Sequence, residues 1–190
     1  MTGYLRIKRM LDIILGIISA IVFALPMLII GILIKITSKG PVIHHSMRVG
    51  INNSQFVMAK FRTMRIDTPV QDINTLLNPE NYYVPFGSFL RKTGLDELPQ
   101  IFNVIKGEMS FVGPRPVLFN HVDVTTLRTQ KGIHKILPGI TGIAQIRAEN
   151  HINAIDRVRY DEIYLNNTTF SLDIKILIQT FVHLIKKIAS

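Results

Sequence analysis

The longest pattern in the chain is an uninterrupted run of apolar and small residues near its start. From Ile13 to Ile34 the sequence IILGIISAIVFALPMLIIGILI holds 22 residues without a charged side chain. A helix that crosses a membrane needs about 20 such residues. A cleaved signal peptide has a shorter apolar core and a small-residue cleavage site, and this run shows neither. The pattern therefore predicts a membrane segment within residues 1–40.

Two features of this segment bear on its path. Pro26 removes a backbone hydrogen bond and should kink the helix at Leu25-Pro26. Basic residues stand at both ends of the run (Arg6, Lys8, Arg9, Lys35 and Lys39), whereas a simple span concentrates them on its cytoplasmic side. A helix that bends and returns to the same membrane face satisfies both features. A kinked helix that crosses the membrane explains the proline alone, and the sequence leaves both paths open.

Beyond residue 40 the hydrophobic pattern changes to that of a globular domain. Two extended stretches, PVIHHSMRVG and SQFVMAKFRTM, flank the turn-like INN and predict a β-hairpin. Helices are predicted over residues 86–92, 96–106, 153–165 and 171–190, with a loop over 66–84 and a tight turn at 138–142. Together these elements predict a mainly helical α+β fold with a re-entrant membrane helix-break-helix, a small hairpin and interfacial amphipathic helices.

The last predicted helix is amphipathic. One face carries the polar residues Lys175, Gln179, His183, Lys186 and Lys187, and the other carries Ile174, Leu177, Ile178, Phe181, Ile185 and Ile188. Such a helix can lie in a membrane interface, or it can pack its apolar face on the protein's own core. The sequence leaves these two arrangements open.

Composition narrows the classes of function. The 190 residues are 47% hydrophobic, carry a net charge of +9 and include no cysteine. A thiol nucleophile, a disulfide framework and cysteine-ligated zinc are therefore excluded. A basic surface beside a membrane segment favours an anionic lipid or a phosphorylated small substrate. Nucleic acid is not expected as a partner, since only 8% of residues are aromatic and no binding motif occurs.

The candidate chemistry lies in TGLDELPQIFNVIKGEMSFVGPRPV, residues 93–117. Asp96 and Glu97 stand at a predicted helix start, where carboxylates commonly cap the helix. A second interpretation arises because the chain also offers basic residues: Lys60, Arg62, Arg91, Lys92 and Arg115. Magnesium binds one or two carboxylates together with phosphate oxygens, arginine forks bind phosphate, and a carboxylate can attack phosphorus. This combination predicts phosphoryl transfer at a membrane surface.

Three motifs also resemble a known family. KFRTM (60–64), LDELPQIFNVIKGEMSFVGPRPV (95–117) and PGITGIAQ (138–145) are similar to motifs of the bacterial sugar transferases, the monotopic phosphoglycosyl transferases. The likeness extends from IKRMLDIILG to LDIKILIQT, nearly the whole chain. The resemblance implies transfer of a sugar 1-phosphate from a UDP-sugar to undecaprenyl phosphate, with release of UMP. This would be the first membrane step of a surface glycan such as a capsule or lipopolysaccharide.

The resemblance also implies residue roles. Asp96 is expected to be the nucleophile that forms a phosphosugar intermediate, and Glu97 a magnesium ligand, with both carboxylates at the metal. Lys60, Arg62, Arg91 and Arg115 are expected around the substrate phosphates. Residues 1–40 would form a re-entrant membrane hairpin, and residues 41–190 a cytosolic, interfacial catalytic domain on the inner membrane of a bacterium. Membrane lipids and later glycosyltransferases are expected partners, and a homodimer is left open.

The chain departs from the family at a few positions. His45 and Ser46 replace an Arg-Gln pair, Tyr82 an arginine, Gly94 a serine, and Ala148-Glu149 a Gly-Arg pair. These changes motivate an alternative, a catalytically weakened homologue that serves as a membrane scaffold for glycosyltransferases. The short chain is expected to be the minimal catalytic unit. The sequence does not name the sugar.

Overall fold

The fold consists mainly of helices, with two small β-sheets. The computed structural model describes residues 2–69, 78–147 and 153–189. The helices are α1 (Thr2–Val22), α2 (Ala24–Thr37), α3 (Gly87–Thr93), α4 (Gln100–Lys106), α5 (Val122–Gln130), α6 (Ile143–Arg147), α7 (Ala154–Asn166) and α8 (Phe170–Ala189). The strands are β1 (Ile43–Val49), β2 (Gln55–Phe61), β3 (Ser110–Val112) and β4 (Gly139–Thr141). The predicted mainly helical α+β class with a small hairpin is confirmed.

The apolar segment forms two helices, α1 and α2, that meet at a 59° bend. The break lies at Phe23, slightly before the predicted Leu25-Pro26, because the proline ring excludes the carbonyl four residues earlier, that of Val22. Among the described residues, no single helix is long and apolar enough to cross a membrane, whereas this bent pair satisfies that length and composition together. The bend is therefore confirmed, and the return of the chain to one membrane face stays a prediction.

Helix α1 packs on the elements that carry the candidate site. Arg9 donates from Nη1 to the carbonyl of Val104 at 2.6 Å and from Nη2 to that of Ile105 at 2.9 Å. These bonds satisfy carbonyls in the last turn of α4. Asp12 accepts the N–H of Phe111, in β3, at 3.2 Å. Helix α1 thus helps to position both α4 and β3, and a domain boundary at residue 40 stays a prediction.

The predicted hairpin is present, with β1 and β2 antiparallel in a register that pairs Ile43 with Phe61 and Val49 with Gln55. The INN turn places Asn52 and Asn53 at positive φ, a region that asparagine tolerates. Side chains alternate between the two faces of a strand. The face that carries Lys60 also carries His44, Arg48, Phe56 and Met58, and the opposite face carries His45, Met47, Ala59 and Phe61.

The second sheet was not predicted. Strands β3 and β4 pair in parallel, Ser110 with Gly139 and Val112 with Thr141. The predicted tight turn at 138–142 is therefore wrong, since this segment is the strand β4. The approach is so close that a Cβ on Gly139 would lie 2.1 Å from the nitrogen of Gly113. Gly139 therefore allows the close approach of two strands and does not mark a reversal of the chain.

The predicted helix in residues 153–165 is confirmed by its cap. The Asn153 side chain accepts the N–H of Asp156 at 2.8 Å, and α7 then continues to Asn166. Helices α5 and α6 were missed, and α5 has a weak apolar pattern, burying only Val124 and Arg128. Much of the predicted loop at 66–84 lies outside the described residues, and its described end contains a 3-10 turn, Pro79–Tyr82.

Helix α8 begins at Phe170, within one residue of the predicted start, and buries Asp173 and Ile176. Most of its predicted apolar face is not covered by the protein: Ile174, Ile178, Phe181, Ile185 and Ile188 are between 39% and 66% exposed. Packing of that whole face on the core is therefore wrong, because the core contact is made by a narrower stripe. Placement in a membrane interface stays a prediction.

Candidate active site

The acidic pair lies on a short turn between two helices. Helix α3 ends at Gly94, whose φ of +72° favours glycine, and residues Leu95–Glu97 form a 3-10 turn. Pro99 then stands at the N-cap of α4. The predicted single helix over 96–106 is thus a 3-10 turn followed by an α-helix from Gln100. The N-cap positions belong to Gly94 and Pro99, so neither carboxylate is a helix N-cap.

The two carboxylates have opposite environments. Asp96 is only 8% exposed, and burial, followed by the charge of Glu97, raises the pKa of its carboxyl against the opposing effects of Lys60 and Arg91. Burial would also raise the pKa of Glu97, but the charges of Lys60 and Arg115 outweigh it and lower that pKa. Adjacent acids whose pKa values are driven apart in this way are suited to different chemical roles.

Lys60 joins the hairpin to this turn. Its Nζ donates to Oε1 of Glu97 at 2.5 Å, and both side chains are largely covered. The strand alternation explains this contact, because Lys60 lies on the hairpin face that packs inward with Phe56 and Met58. Lys60 is thus held at the acidic pair, and its expected role at the substrate phosphates stays a prediction.

Arg91 approaches the site from the last turn of α3. Its guanidinium carbon lies 5.8 Å from the centre of the Tyr83 ring, a cation–π arrangement. Its Nη1 lies 3.8 Å from Sδ of Met64, and its charge lowers the pKa of Asp96. Arg91 is therefore held beside Asp96 by weak contacts that leave its donors largely available for another anion.

Arg115 stands between two prolines on an anchored loop. Its side chain is exposed, while the carbonyls beside it are fixed: the N–H of Gly139 donates to Pro114 at 2.9 Å, and the N–H of Val49 to Val117 at 3.0 Å. Its charge lowers the pKa of Glu97, which places the guanidinium near the acidic pair. The exposed head of Arg115 on a fixed backbone suits recognition of an anion.

Arg62 is directed elsewhere. It is buried, and its guanidinium donates to the backbone carbonyl of Lys39 and to the carbonyl and hydroxyl of Ser38, the last two at 3.1 and 3.2 Å. These acceptors follow the C-terminal end of α2, so Arg62 ties the hairpin to the bent pair α1–α2. The structure brings Lys60, Arg91 and Arg115 to the acidic pair, but not Arg62. A substrate-binding role stays a prediction for all four residues.

Two residues at the site were missed from the sequence. Arg48 shares the hairpin face of Lys60, and burial, followed by the charge of Arg115, lowers its pKa to about 10. Gln100 is 1% exposed, one helical turn after Glu97. The sequence signal for Arg48 was its even spacing from Lys60 across the hairpin turn. Even spacing places two residues on the same face only when the strand register is known, and the structure supplies that register.

The described departures from the family pattern occupy separate places. Ser46 accepts a hydrogen bond from Nε of Arg48 at 3.2 Å, and His45 is exposed on the opposite hairpin face. The backbone carbonyl of Tyr82 accepts the N–H of Arg65 at 2.8 Å. Ala148 and Glu149 lie outside the described residues.

The carboxylates at the site could bind magnesium only together with ligands from the substrate. In the described ranges, no group of three or more histidine, aspartate or glutamate side chains is placed to hold a metal ion. Asp96 and Glu97 offer two adjacent carboxylates, and magnesium is commonly held by that number together with substrate phosphate oxygens. The residues present therefore suit a magnesium ion shared with a phosphorylated substrate rather than one held by the protein alone.

Comparison of the sequence with known proteins identifies the family of this chain. A match to the bacterial sugar transferases covers residues 3–187. The chain is 36% identical over 180 residues to the UDP-glucose:undecaprenyl-phosphate glucose-1-phosphate transferase of Klebsiella pneumoniae, covering 91% of this chain and 39% of that protein. It is 35% identical over 182 residues to the UDP-N-acetylgalactosamine-undecaprenyl-phosphate N-acetylgalactosaminephosphotransferase of Aeromonas hydrophila, covering 93% and 43%.

A third relative is closer in length. The chain is 34% identical over 174 residues to the uncharacterized sugar transferase EpsL of Bacillus subtilis, covering 92% of this chain and 85% of that protein. The chain thus spans about two fifths of the two named enzymes and most of EpsL. The motifs around Lys60, Asp96 and Arg115, which the fold brings to one place, lie within the matched region. This chain belongs to the bacterial sugar transferase family.

Proposed function

We propose that this protein transfers a sugar 1-phosphate from a UDP-sugar to undecaprenyl phosphate and releases UMP. The observation that carries this proposal is the buried carboxyl of Asp96 beside the ion-paired Glu97, with Lys60, Arg91 and Arg115 around them. Two relatives are named as enzymes that transfer a sugar phosphate to undecaprenyl phosphate, which supports the same reaction class here.

In the proposed first step, an oxygen of the Asp96 carboxylate attacks the phosphorus that bears the sugar. A new P–O bond forms to Asp96, the P–O bond to UMP breaks, and UMP leaves with the electron pair. The product on the enzyme is an aspartyl phosphosugar. Burial suits Asp96 to this role because a weakly hydrated carboxylate needs little desolvation before it attacks.

In the second step, a phosphate oxygen of undecaprenyl phosphate attacks the same phosphorus. The P–O bond to Asp96 breaks, which regenerates the carboxylate and releases the lipid diphosphate sugar. No proton has to be gained or lost by Asp96 in the cycle. One carboxylate can therefore serve both half-reactions.

The surrounding residues bind and orient the substrate. The planar guanidinium groups of Arg91 and Arg115 suit bidentate contacts to phosphate oxygens, while Lys60 keeps Glu97 ionised and fixed. Asp96 and Glu97 would hold magnesium, which when bound neutralises charge on the phosphate oxygens. Apart from the bond that Asp96 forms and breaks, these residues would act by positioning the substrate and stabilising its charge, as is usual for phosphoryl transfer.

The proposed location is the cytoplasmic face of the bacterial inner membrane. The bent pair α1–α2 would re-enter on that face, beside the lipid acceptor, and the UDP-sugar would come from the cytosol. Membrane lipids would contact this pair. Later glycosyltransferases and a second copy of the chain stay predicted partners.

The test is UMP release by purified protein with undecaprenyl phosphate, magnesium and a panel of UDP-sugars, in which each sugar is supplied separately. We expect one or a few sugars to release UMP, and the matched Asp96→Asn protein to release none. A folded wild-type protein that is inactive with the entire panel would contradict the proposal and favour the scaffold alternative. The panel also identifies the sugar.

A further inference from the structure

A buried ion pair lies behind the loop that carries Arg115. Arg128 in α5 donates from Nε and Nη2 to Oδ2 of Asp161 in α7, at 3.0 and 2.6 Å. Its remaining edge is also used, since Nη1 donates to the backbone carbonyl of Arg115 at 3.0 Å. The exposed fractions of Arg128 and Asp161 are only 7% and 2%.

A buried ion pair contributes little net stability to a fold. The loss of solvation when two charges are buried often exceeds their mutual attraction, so well-packed apolar residues of similar size usually stabilise the fold at least as well. Here burial raises the pKa of Asp161 even with Arg128 beside it. Unlike an apolar pair, this ion pair directs an N–H group at one particular backbone carbonyl.

The carbonyl chosen is that of the candidate substrate-binding arginine. We propose that Arg128, held by Asp161, is a positioning residue that fixes the backbone of Arg115 and thereby aims its guanidinium at the substrate phosphates. This inference rests on the role of Arg115 in the proposed function. Prolines 114 and 116 restrict the backbone on both sides, so a hydrogen bond at the central carbonyl controls the orientation of the entire tripeptide.

The same two helices provide a matched control. Lys131, directly after α5, donates to Glu162 of α7 at 2.7 Å, and this pair lies on the surface. Both pairs join α5 to α7, whereas the Arg128 pair also holds the Arg115 loop. If the effect comes from the docking of α5 on α7, substitution in either pair should produce it. If it comes from the position of Arg115, only substitution in the Arg128 pair should produce it.

The first measurement is hydrogen exchange, which does not depend on activity. Arg128→Lys keeps the charge opposite Asp161 but loses the fork that reaches both partners. We expect faster exchange at the amides of Gly139 and Val49, which donate to the loop carbonyls of Pro114 and Val117, and no change in Lys131→Met. Unchanged exchange at both amides in the folded Arg128→Lys protein would overturn the proposal.

The second measurement is a double-mutant cycle on UDP-sugar turnover. A misplacement of about 1 Å can cost about 100-fold in rate, so we expect Arg128→Lys to lower kcat/KM by roughly 10- to 100-fold. In an Arg115→Ala background the same substitution should have little further effect. Equal losses in both backgrounds would show that Arg128 does not act through Arg115.

A second variant guards against misfolding. Asp161→Asn retains an acceptor for Arg128 without the charge, and we expect the same faster exchange at Gly139, to a smaller extent. If the wild-type enzyme releases no UMP, the proposed function fails, while the exchange measurements still decide whether Arg128 holds the loop.

Discussion

Lys60 and Glu97 are joined by a 2.5 Å contact between Nζ and Oε1 that links the hairpin to the turn carrying Asp96. The side chains are 18% and 24% exposed, so solvent screens the pair only in part. Arg65 and Asp67 make an ion pair of the same length, 2.5 Å, at 54% and 56% exposure. The chain thus contains a largely covered ion pair at the candidate site and an exposed pair for comparison.

The first prediction concerns the stability of this contact. Lys60→Met leaves Glu97 without its partner, and loss of a hydrogen bond to a covered charged group costs about 1.5–3 kcal/mol. Adding Glu97→Gln should recover part of that loss, because it removes the unpaired charge. Denaturant unfolding of the single and double variants measures both effects. Arg65→Met is the control and should change stability little, because an exposed ion pair is screened by solvent. Equal losses at both sites would contradict the importance of burial.

The second prediction concerns the covalent intermediate. The wild-type protein is given a UDP-sugar that carries the label in its sugar, without undecaprenyl phosphate. After denaturation the protein should still carry the label, in an acid-stable form that lasts long enough to detect. Asp96→Asn keeps the size of the side chain but removes the attacking charge, so it should retain none and turn over none. Glu97→Gln should lower activity and weaken its dependence on magnesium together. Labelling of the Asp96→Asn protein at the wild-type level would exclude Asp96 as the nucleophile.

The third prediction concerns Arg115. Arg115→Lys preserves the charge but loses the planar fork, so we expect a large loss of kcat/KM despite the conservative exchange. Thermal unfolding should be nearly unchanged because the side chain is exposed. Lys131→Arg, on the exposed α5–α7 pair, is the matched control and should retain activity. Normal turnover by Arg115→Lys would show that position 115 contributes charge alone.

The fourth prediction concerns the bend in the apolar segment and its predicted path in the membrane. Removing Pro26 relieves about 3 kcal/mol of helix-breaking penalty, so Pro26→Leu should straighten the 59° bend between α1 and α2. Cysteines placed at Thr2 and Ser38 in this cysteine-free chain report the side of the membrane by labelling in intact and opened cells. Both should be protected in intact cells with Pro26 present, and one should become accessible in part of the Pro26→Leu population.

The native arrangement has its own decisive outcome. Labelling of the Thr2→Cys protein from outside intact cells, with Pro26 in place, would mean that the segment spans the membrane. The return to one face would then be wrong, although the bend itself would stand.

Local features of this protein could be predicted from the sequence because each depends on residues close together in the chain. Pro26 bends the apolar segment through the carbonyl four residues before it, and Asn153 caps α7 through a residue three positions later. The hairpin follows from two extended stretches around a short turn. The motif around Asp96 also indicated the family, since its residues are contiguous.

Contacts between distant segments were decided by the tertiary structure. The segment at 138–142 has the proline and glycine of a turn, yet it pairs in parallel with β3 because Gly113 and Gly139 allow the backbones to approach. Lys60 and Arg62 stand two residues apart, but one reaches Glu97 and the other the end of α2. The hydrogen bond from Arg128 to the carbonyl of Arg115 joins α5 to a separate loop. Sequence patterns specify local conformation, whereas the partner of a long side chain depends on which element packing brings within its reach.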